Sequence, residues 1–277
     1  MINNKVGFIG GGNMTRAFLG GLIESGVPTY ELFVSEPNDD TRQRLAQRYQ
    51  GVTVLADNNE VAKRAGTLVF AVKPQDMREV CTHLRDAVQS SRPLIITIAA
   101  GTRIGSIDDW LGGNLSIVRV MPNQPAIHRL GVSGVFANDN TSITERDRAE
   151  AVIGAISKVV HVPRENDLDT VTAVSGSGPA YFYLLIDMLI DAAVELGIER
   201  ESAEVLAVET AKGAAWIAES ETEPMLSLIK RVTSPGGTTE AAFEVLDAEG
   251  VRAIFLKAIT AARDRSAELG KPKPGKS

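Results

Sequence analysis

The chain has 277 residues, 44% of them hydrophobic and 23% charged, which is the composition of a globular protein with room for about two domains. Its formal net charge of −6 disfavours nucleic acid or an anionic membrane as the main partner, because both favour basic patches. No apolar run approaches the roughly 18 residues that span a bilayer, and the N-terminus leads directly into a strand. We therefore expect neither a membrane span nor a signal peptide.

The chain contains one cysteine and three scattered histidines. A single cysteine excludes an internal disulfide and fits a reducing, cytoplasmic compartment. Cys81 falls in an apolar row at helical spacing, so we expect a packed thiol rather than a nucleophile. Because the sequence has no Cys/His cluster, we expect no metal site.

The first half of the chain alternates β-rich runs with helical patterns. The first strand, Val6–Ile9, precedes a helix near 14–25 that Gly26 ends. Further strands are expected at 32–34, 52–55, 67–72, 94–98, 115–120, 132–137 and 159–162, and helices near 40–49, 58–65, 77–89, 104–111 and 144–157. Apolar strands separated by helices indicate a parallel sheet covered on both faces. Residues 1–163 are therefore predicted to form an α/β, Rossmann-type doubly wound domain that binds a dinucleotide.

The second half, residues 164–277, is predicted to be all-helical, with breaks at 175–179, 220–224, 233–237 and 250 and a disordered tail from 271. In the helix 180–195 the only charged side chains are Asp187, Asp191 and Glu195, which form one thin stripe on an apolar surface. Such a helix needs cover on nearly all sides. We therefore expect a helical dimerisation domain and a homodimer, with assembly into a higher oligomer of dimers left open.

A glycine turn joins the first strand to the first helix and predicts a dinucleotide site. Gly10 makes the tight turn, and Gly12 lets a pyrophosphate approach the helix N-terminus. Thr15 stands where glycine or alanine usually packs the helix against the strand, which predicts slightly wider packing there.

The end of the second strand carries the residues that bear on cofactor choice. Glu36 stands where an acidic residue binds the ribose 2′-hydroxyl of NAD and repels the 2′-phosphate of NADP. Other polar residues nearby are suited to holding a phosphate, namely Ser35, Asn38, Thr41 and Arg42. The preference between NADH and NADPH therefore stays open.

Two further segments, Ala71-Val-Lys-Pro and Ile98-Ala-Ala-Gly, follow strands at the carboxyl edge of the sheet, where such folds bind ligands. Lys73 is either a cofactor contact or a solvated loop lysine. Asn58 begins a helix after another strand and is either a cofactor contact or only an N-cap.

Residues 233–239 read Thr-Ser-Pro-Gly-Gly-Thr-Thr and directly precede a helical segment. The first N–H groups of a helix lack intrahelical partners, and the helix dipole attracts an anion to that end. The two glycines let backbone approach a small ligand, and the hydroxyls add donors. A carboxylate fits this turn; the alternative is an ordinary N-capped turn.

Motifs along essentially the full length, residues 5–269, resemble those of the pyrroline-5-carboxylate reductase family. In chain order they are Phe8-Ile-Gly-Gly-Gly-Asn-Met, Ala71-Val-Lys-Pro, Ile98-Ala-Ala-Gly, Met121-Pro-Asn, Ala173-Val-Ser-Gly-Ser-Gly-Pro-Ala-Tyr and Thr233-Ser-Pro-Gly-Gly-Thr-Thr. The last two are the most specific. The chain departs from the family pattern at Thr15, at Gln124 and at Glu36, and Glu36 puts the family's usual NADPH preference in doubt.

The resemblance implies reduction of the cyclic imine of L-1-pyrroline-5-carboxylate to L-proline, the last step of proline biosynthesis, with NADPH as cofactor and NADH as the alternative. It implies that Ser234 and the backbone N–H groups of Gly236, Gly237 and Thr238 hold the substrate carboxylate. Thr239 then hydrogen-bonds the ring nitrogen as the catalytic residue. Glu165 is either a further substrate contact or a linker charge.

The glycine motif and the resemblance together predict the cofactor contacts. These are Ile9, Gly10, Gly11, Gly12, Asn13, Met14, Ser35, Glu36, Asn58, Ala71, Val72, Lys73, Pro74, Ile98, Ala99 and Ala100.

Three other functions compete with this interpretation. A β-hydroxyacid dehydrogenase shares the architecture but needs a lysine proton donor facing the nicotinamide, and the helix 180–195 contains no lysine. A catalytically silent nucleotide-binding protein has no need of the Gly-Gly-Thr-Thr turn. An imine reductase for larger rings would differ in the size of its pocket.

Overall fold

A computed structural model describes residues 5–271. Its sheet has eight strands in the order β3-β2-β1-β4-β5-β6-β7-β8. They are β1 Val6–Ile9, β2 Leu32–Ser35, β3 Thr53–Leu55, β4 Thr67–Phe70, β5 Leu94–Thr97, β6 Ile117–Met121, β7 Gly131–Ala137 and β8 Ser157–His161. Residues 1–4 and 272–277, on which the expectations of no signal peptide and of a disordered tail depend, lie outside the described residues.

Six helices connect these strands. They are α1 Asn13–Glu24, α2 Asp39–Arg48, α3 Asn58–Arg64, α4 Met77–Ser91, α5 Ile104–Leu111 and α6 Ile143–Gly154. Buried apolar side chains form a core on each face of the sheet, one including Phe8 and Phe18 and the other including Leu68 and Leu84. The predicted α/β class with a doubly wound sheet is confirmed, and the two cores explain why its strands are apolar almost throughout.

The last two strands run against the direction that we expected for a wholly parallel sheet. β1 to β6 pair in parallel, but β7 pairs antiparallel to β6, and β8 then pairs in parallel with β7. A parallel connection needs a dozen or more residues. Only the short segment 122–130 lies between β6 and β7, so the chain turns back on itself there.

Cys81 lies on α4 and is fully buried, as its apolar row predicted. Burial raises the pKa of its thiol to about 12, so the thiol stays protonated and unreactive at neutral pH.

The C-terminal part is helical, and it differs from our expectation at two points, one of which is a further break at 196–199. The helices are α7 Asp167–Val171, α8 Gly178–Glu195, α9 Arg200–Ser220, α10 Met225–Arg231, α11 Thr238–Ala248 and α12 Val251–Leu269. We expected a break at 175–179, but a π-helical turn at Thr172–Gly176 joins α7 to α8, and the N–H of Ser177 donates to the carbonyl of Thr172 at 2.8 Å. This i→i+5 bond lets the glycine-rich segment stay helical.

The resulting helical run, Asp167–Glu195, is long and apolar enough to cross a membrane by length and composition, contrary to our count of apolar runs. Two acidic side chains, Asp187 and Asp191, interrupt the apolar sequence, although the mean hydropathy of the helix stays high. A helix that covers a protein interface passes the same test.

The described residues divide into two compact units, which are 5–177 with 262–271, and Gly178–Ala261. We expected the boundary between 163 and 164. The first unit extends further because α7 packs against β6 and β7, and it also contains the last turns of α12.

In the second unit α8 packs against α9, where Ile190 meets the small residues Ala203 and Ala207. The rest of α8 leaves large apolar side chains exposed, including Phe182 and Met188, which are 65% and 58% exposed. Single exposed apolar residues are ordinary, but a row of them marks an interface.

Candidate cofactor and substrate sites

The glycine turn after β1 has the geometry that a dinucleotide requires. Gly10 has φ +99°, and a Cβ atom there would lie 2.8 Å from the carbonyl oxygen of Ala71. Nothing among the described residues lies within 4 Å of the Cβ position of Gly12, which is the N-cap of α1. Open space beside the unpaired N–H groups of a helix start fits a pyrophosphate.

Thr15, where we expected wider packing, is fully buried. Its hydroxyl donates to the carbonyl of Gly10 at 2.6 Å. The departure from glycine or alanine therefore adds a hydrogen bond that holds the tight turn.

Glu36 lies half-buried beside this turn. Its Oε2 accepts from the N–H of Gly11 at 2.9 Å, and its Oε1 accepts from the N–H of Asn38 at 3.0 Å. Two backbone bonds fix the carboxylate at the end of β2. A negative charge held there disfavours a second negative group such as a 2′-phosphate.

Three of the four neighbouring polar side chains that we considered as phosphate ligands, those of Ser35, Asn38 and Arg42, have other partners. The buried hydroxyl of Ser35 donates to the carbonyl of Phe8 at 3.3 Å, and the Asn38 side chain caps α2 by accepting from the N–H of Thr41 at 2.9 Å. Arg42 donates to the carbonyls of Glu36 and Pro37 at 2.8 and 2.7 Å and also pairs with Asp39.

The predicted segments after β4 and β5 lie at the same edge of the sheet. The N–H of Ala71 donates to the carbonyl of Ile9 at 2.9 Å, which places it beside the glycine turn. Lys73 is exposed just beyond it, and the N–H of Ile98 donates to the carbonyl of Phe70 at 3.3 Å. The structure therefore brings the ends of β1, β4 and β5 together at the point where the strand order reverses.

The remaining predicted cofactor residues fall at or near this edge. Asn58 is the first residue of α3 and not its cap, because Asp57 caps the helix by accepting from the N–H of Asn59 at 2.8 Å. The others are distributed along the glycine turn and the two segments: Asn13, Met14, Val72, Pro74, Ala99 and Ala100.

The hydroxyl-rich turn lies in the second unit and leads into α11, which begins at Thr238 with Gly237 as its N-cap. Gly236 has φ +71°, and a Cβ atom on Gly237 would lie 2.9 Å from the backbone carbonyl oxygen of Ser234, so both positions favour glycine. The side chain of Ser234 is exposed on this turn.

Two of the three backbone donors that we predicted for the substrate have partners, one in the first turn of α11 and one in the hydroxyl-rich turn that precedes it. The N–H of Gly236 donates to Oε2 of Glu240 at 2.6 Å, and the N–H of Gly237 donates to the carbonyl of Ser234 at 3.0 Å. Thr238 and Thr239 are the first two residues of α11, so their N–H groups have no intrahelical acceptor. The Thr239 hydroxyl has no hydrogen-bond partner within the described part of the chain.

Glu165 lies in the first unit, half-buried in a cluster of charges. Its Oε1 accepts from Nη1 of Arg119 and from the N–H of Ile104, both at 2.9 Å. Burial lowers the pKa of the Arg119 guanidinium, and the charge and hydrogen bond of Glu165 oppose that shift. These bonds tie Glu165 to β6 and to the start of α5.

Sequence reasoning missed four residues at these sites, and one of them, Arg119, is a buried residue of β6 whose partner Glu165 lies 46 positions away. Glu240 carries a usable signal, because an acidic residue in the first turn of a helix often bonds backbone N–H groups at its start. Arg103 and Asp169 carry none, because their pairing joins residues 66 positions apart. The residues that the structure describes contain no group of three or more side chains suited to a metal ion.

Comparison with known proteins agrees with this architecture. Residues 165–269 match the family model described as "Pyrroline-5-carboxylate reductase dimerisation", and residues 5–101 match the one described as "NADP oxidoreductase coenzyme F420-dependent". A pyrroline-5-carboxylate reductase of Pseudomonas aeruginosa is 42% identical over 270 residues, covering 97% of this chain and 98% of the relative.

Solved structures are also similar over nearly the whole chain. A pyrroline-5-carboxylate reductase from Coxiella burnetii superimposes with a TM-score of 0.93 at 38% identity, covering 97% of this chain and 99% of the other. The Plasmodium falciparum pyrroline carboxylate reductase, solved with NADP bound, gives 0.84 at 30% identity, covering 98% and 100%.

The chain is an NAD(P)-dependent oxidoreductase with a helical dimerisation domain. Its class follows from the glycine turn, from the point in the sheet where the strand order reverses, and from the two matching family models. Within that class the identity over the full length is decisive. The chain belongs to the pyrroline-5-carboxylate reductase family.

Proposed function

We propose that this chain reduces the cyclic imine of L-1-pyrroline-5-carboxylate to L-proline and binds the substrate carboxylate at the 234–239 turn. The observation that carries the proposed carboxylate site is the bond from the N–H of Gly236 to the Glu240 carboxylate at 2.6 Å. Because the N–H groups of this turn already bind a carboxylate from the following helix, they are also suited to bind the carboxylate of a ligand.

The N–H groups of Thr238 and Thr239, with the exposed Ser234 hydroxyl, are the donors that this turn offers the substrate. The amides of Gly236 and Gly237 join them if their internal partners give way. The substrate brings its own proton on the imine nitrogen, so the enzyme needs no strong general acid. The Thr239 hydroxyl then accepts a hydrogen bond from that nitrogen and fixes the orientation of the ring.

The dinucleotide lies along the carboxyl edge of the sheet in this proposal. The N-terminus of α1 holds the pyrophosphate, Glu36 contacts the adenine-side ribose, and the segments after β4 and β5 contact the remainder. When bound, the reduced nicotinamide supplies the hydride that the imine carbon receives. The enzyme uses both NADPH and NADH, with Glu36 favouring NADH relative to a serine at that position.

The helical unit forms a homodimer, and the apolar faces of α8 and α9 supply its interface. Their exposed members include Leu184, Leu185, Leu206 and Trp216. We assign the protein to the cytoplasm, where a lone buried thiol such as Cys81 stays reduced.

Initial rates of cofactor oxidation test this function. The enzyme should oxidise NADPH and NADH with pyrroline-5-carboxylate and should be inactive with semialdehydes derived from β-hydroxyacids. Turnover of the semialdehydes but not the imine would favour the β-hydroxyacid dehydrogenase alternative. A six-membered cyclic imine in the same assay distinguishes an imine reductase for larger rings.

A further inference from the structure

Four charged side chains and one hydroxyl form a network in the first unit. Arg103 donates through Nη2 to Oδ2 of Asp169 at 2.5 Å, and Ser266 donates through Oγ to Oδ1 of the same carboxylate at 2.9 Å. The Arg119–Glu165 pair adjoins them, since Arg103 also donates to the Glu165 carbonyl at 3.4 Å.

Three of these five groups are buried, while the side chains of Arg103 and Glu165 are 22% and 21% exposed. The side chains of Arg119 and Asp169 are 4% and 6% exposed, and Ser266 is 6% exposed. A buried charge that loses its partner is strongly unfavourable, so each member holds the next in a defined place. Of the residues in the network, only Glu165 is among the predicted substrate contacts.

The network lies at the end of the segment that follows β5. This segment runs from Ile98 through Gly101 to Arg103, the N-cap of α5. Its first two amides make only long hydrogen bonds, 3.3 Å from Ile98 to Phe70 and 3.4 Å from Ala99 to the Thr97 hydroxyl. Such bonds are weak, so the backbone alone holds this segment loosely.

The last turn of α12 closes over the same segment. A Cβ atom on Gly101, which has φ +75°, would lie 3.2 Å from the carbonyl oxygen of Leu269. A Cβ atom on Gly270 would lie 3.1 Å from the Gly101 carbonyl and 3.2 Å from Nε of Arg103. The backbone at the end of α12 therefore packs against the backbone of Gly101. The Arg103 side chain, which Asp169 and Ser266 hold, lies next to this contact.

We propose that Arg103, Asp169 and Ser266 form a clamp that positions the 98–103 segment for cofactor binding, so that residues remote in sequence set the affinity for the dinucleotide. They are positioning residues, since they act through the backbone of Ile98, Ala99 and Ala100. The proposal rests on the proposed function, because it requires that this segment contacts the cofactor.

Direct binding of NADPH, followed by fluorescence in the absence of substrate, tests the clamp. Asp169→Asn and Arg103→Met should raise the Kd for NADPH about tenfold, and Ser266→Ala about two- to threefold because it loses one hydrogen bond. Arg103→Lys should lie between wild type and Arg103→Met, since it retains the charge. Amide hydrogen exchange of residues 98–103 in the cofactor-free dimer should become faster in the same order.

The matched control is Arg85→Met, because Arg85 lies on α4 and its side chain contacts the opposite end of α5. Arg85 donates to the carbonyls of Trp110 and Asp109 at 3.1 and 3.3 Å, so it holds the same helix without touching the 98–103 segment. It should leave the Kd and the exchange of 98–103 unchanged. At saturating NADPH, the KM for the imine should be unchanged in Ser266→Ala, which is the mildest variant and keeps the test valid if the charge variants fail to fold.

Two outcomes separate failure of the clamp from failure of the proposed cofactor site. If Ala100→Leu weakens NADPH binding but Ser266→Ala leaves both the Kd and the exchange of 98–103 unchanged, the clamp is overturned. If Ala100→Leu has no effect on the Kd, the 98–103 segment does not contact the cofactor, and the proposed function of that segment is overturned with it. A lower melting temperature without a change in Kd also contradicts the clamp.

Discussion

The carboxylate of Glu240 accepts a hydrogen bond from the backbone N–H of Gly236 at 2.6 Å, across the turn that we assign to the substrate. Glu240 lies in the first turn of the helix that this turn begins. An internal carboxylate therefore occupies one donor that the substrate carboxylate would use, and the two negative groups compete.

Glu240→Gln should lower the KM for pyrroline-5-carboxylate by about three- to tenfold, because a neutral amide holds the N–H less strongly and no longer repels the substrate. Steady-state kinetics at saturating NADPH measure this change. Glu244→Gln, one turn further along α11 and exposed, is the control and should leave the KM unchanged. An unchanged or higher KM for Glu240→Gln would contradict the competition.

Thr239→Val should lower kcat/KM for the imine by about 10- to 100-fold, which corresponds to the loss of roughly 1.4–2.7 kcal/mol from one polar contact. The matched variant is Thr238→Val, whose side chain is exposed and whose backbone N–H is retained. It should change kcat/KM by less than about threefold. Equal rates for Thr239→Val and wild type would remove the assigned role of the hydroxyl.

Glu36→Ser should raise the ratio of kcat/KM for NADPH to that for NADH by about tenfold or more, because the fixed carboxylate beside Gly11 no longer repels the 2′-phosphate. Asp39→Ser removes a nearby exposed carboxylate and is the control for a general charge effect. If both variants shift the ratio equally, the long-range charge and not the position of Glu36 sets the preference.

Glu145 should stabilise the first unit in a pH-dependent way. Burial raises the pKa of this carboxyl, but hydrogen bonds from the Ser142 side chain and backbone and from Ser116 outweigh burial and lower it overall from 4.5. A lowered folded pKa gives stability that is present above the unfolded pKa and lost as the pH falls through the folded value.

Glu145→Gln should therefore destabilise the protein by about 1 kcal/mol at pH 7, since it weakens the capping box of α6. Thermal midpoints at one protein concentration, measured at pH 7 and near pH 4, are the readout. The difference from wild type should shrink at the lower pH. An equal difference at both values would show that ionisation of Glu145 contributes nothing.

Local patterns in the sequence sufficed for much of the fold. The strand Val6–Ile9, the glycine turn and the helix after it are encoded by neighbouring residues, so apolar runs and glycine spacing locate them. The turn before α11 was likewise visible as a run of small hydroxyl residues and glycines.

Features that depend on distant partners were not visible. The direction of β7 is set by its pairing with β6, and an apolar run has no direction of its own. In the sequence, Arg103 and Asp169 have the pattern of ordinary surface charges, because their pairing joins distant parts of the chain. The sequence indicates Glu165 only as an acidic residue near the predicted domain boundary. Its bonds to Arg119 and to the N–H of Ile104, which connect it to β6 and α5, depend on the folded structure.

A crystal structure of the dimer with L-proline tests the central claim most directly. We predict the proline carboxylate within hydrogen-bond distance of the N–H groups of Thr238 and Thr239, with the ring nitrogen beside the Thr239 hydroxyl and the Glu240 side chain turned away from Gly236. Proline bound elsewhere, with Glu240 still on the Gly236 amide, would contradict the assignment of this turn as the carboxylate site.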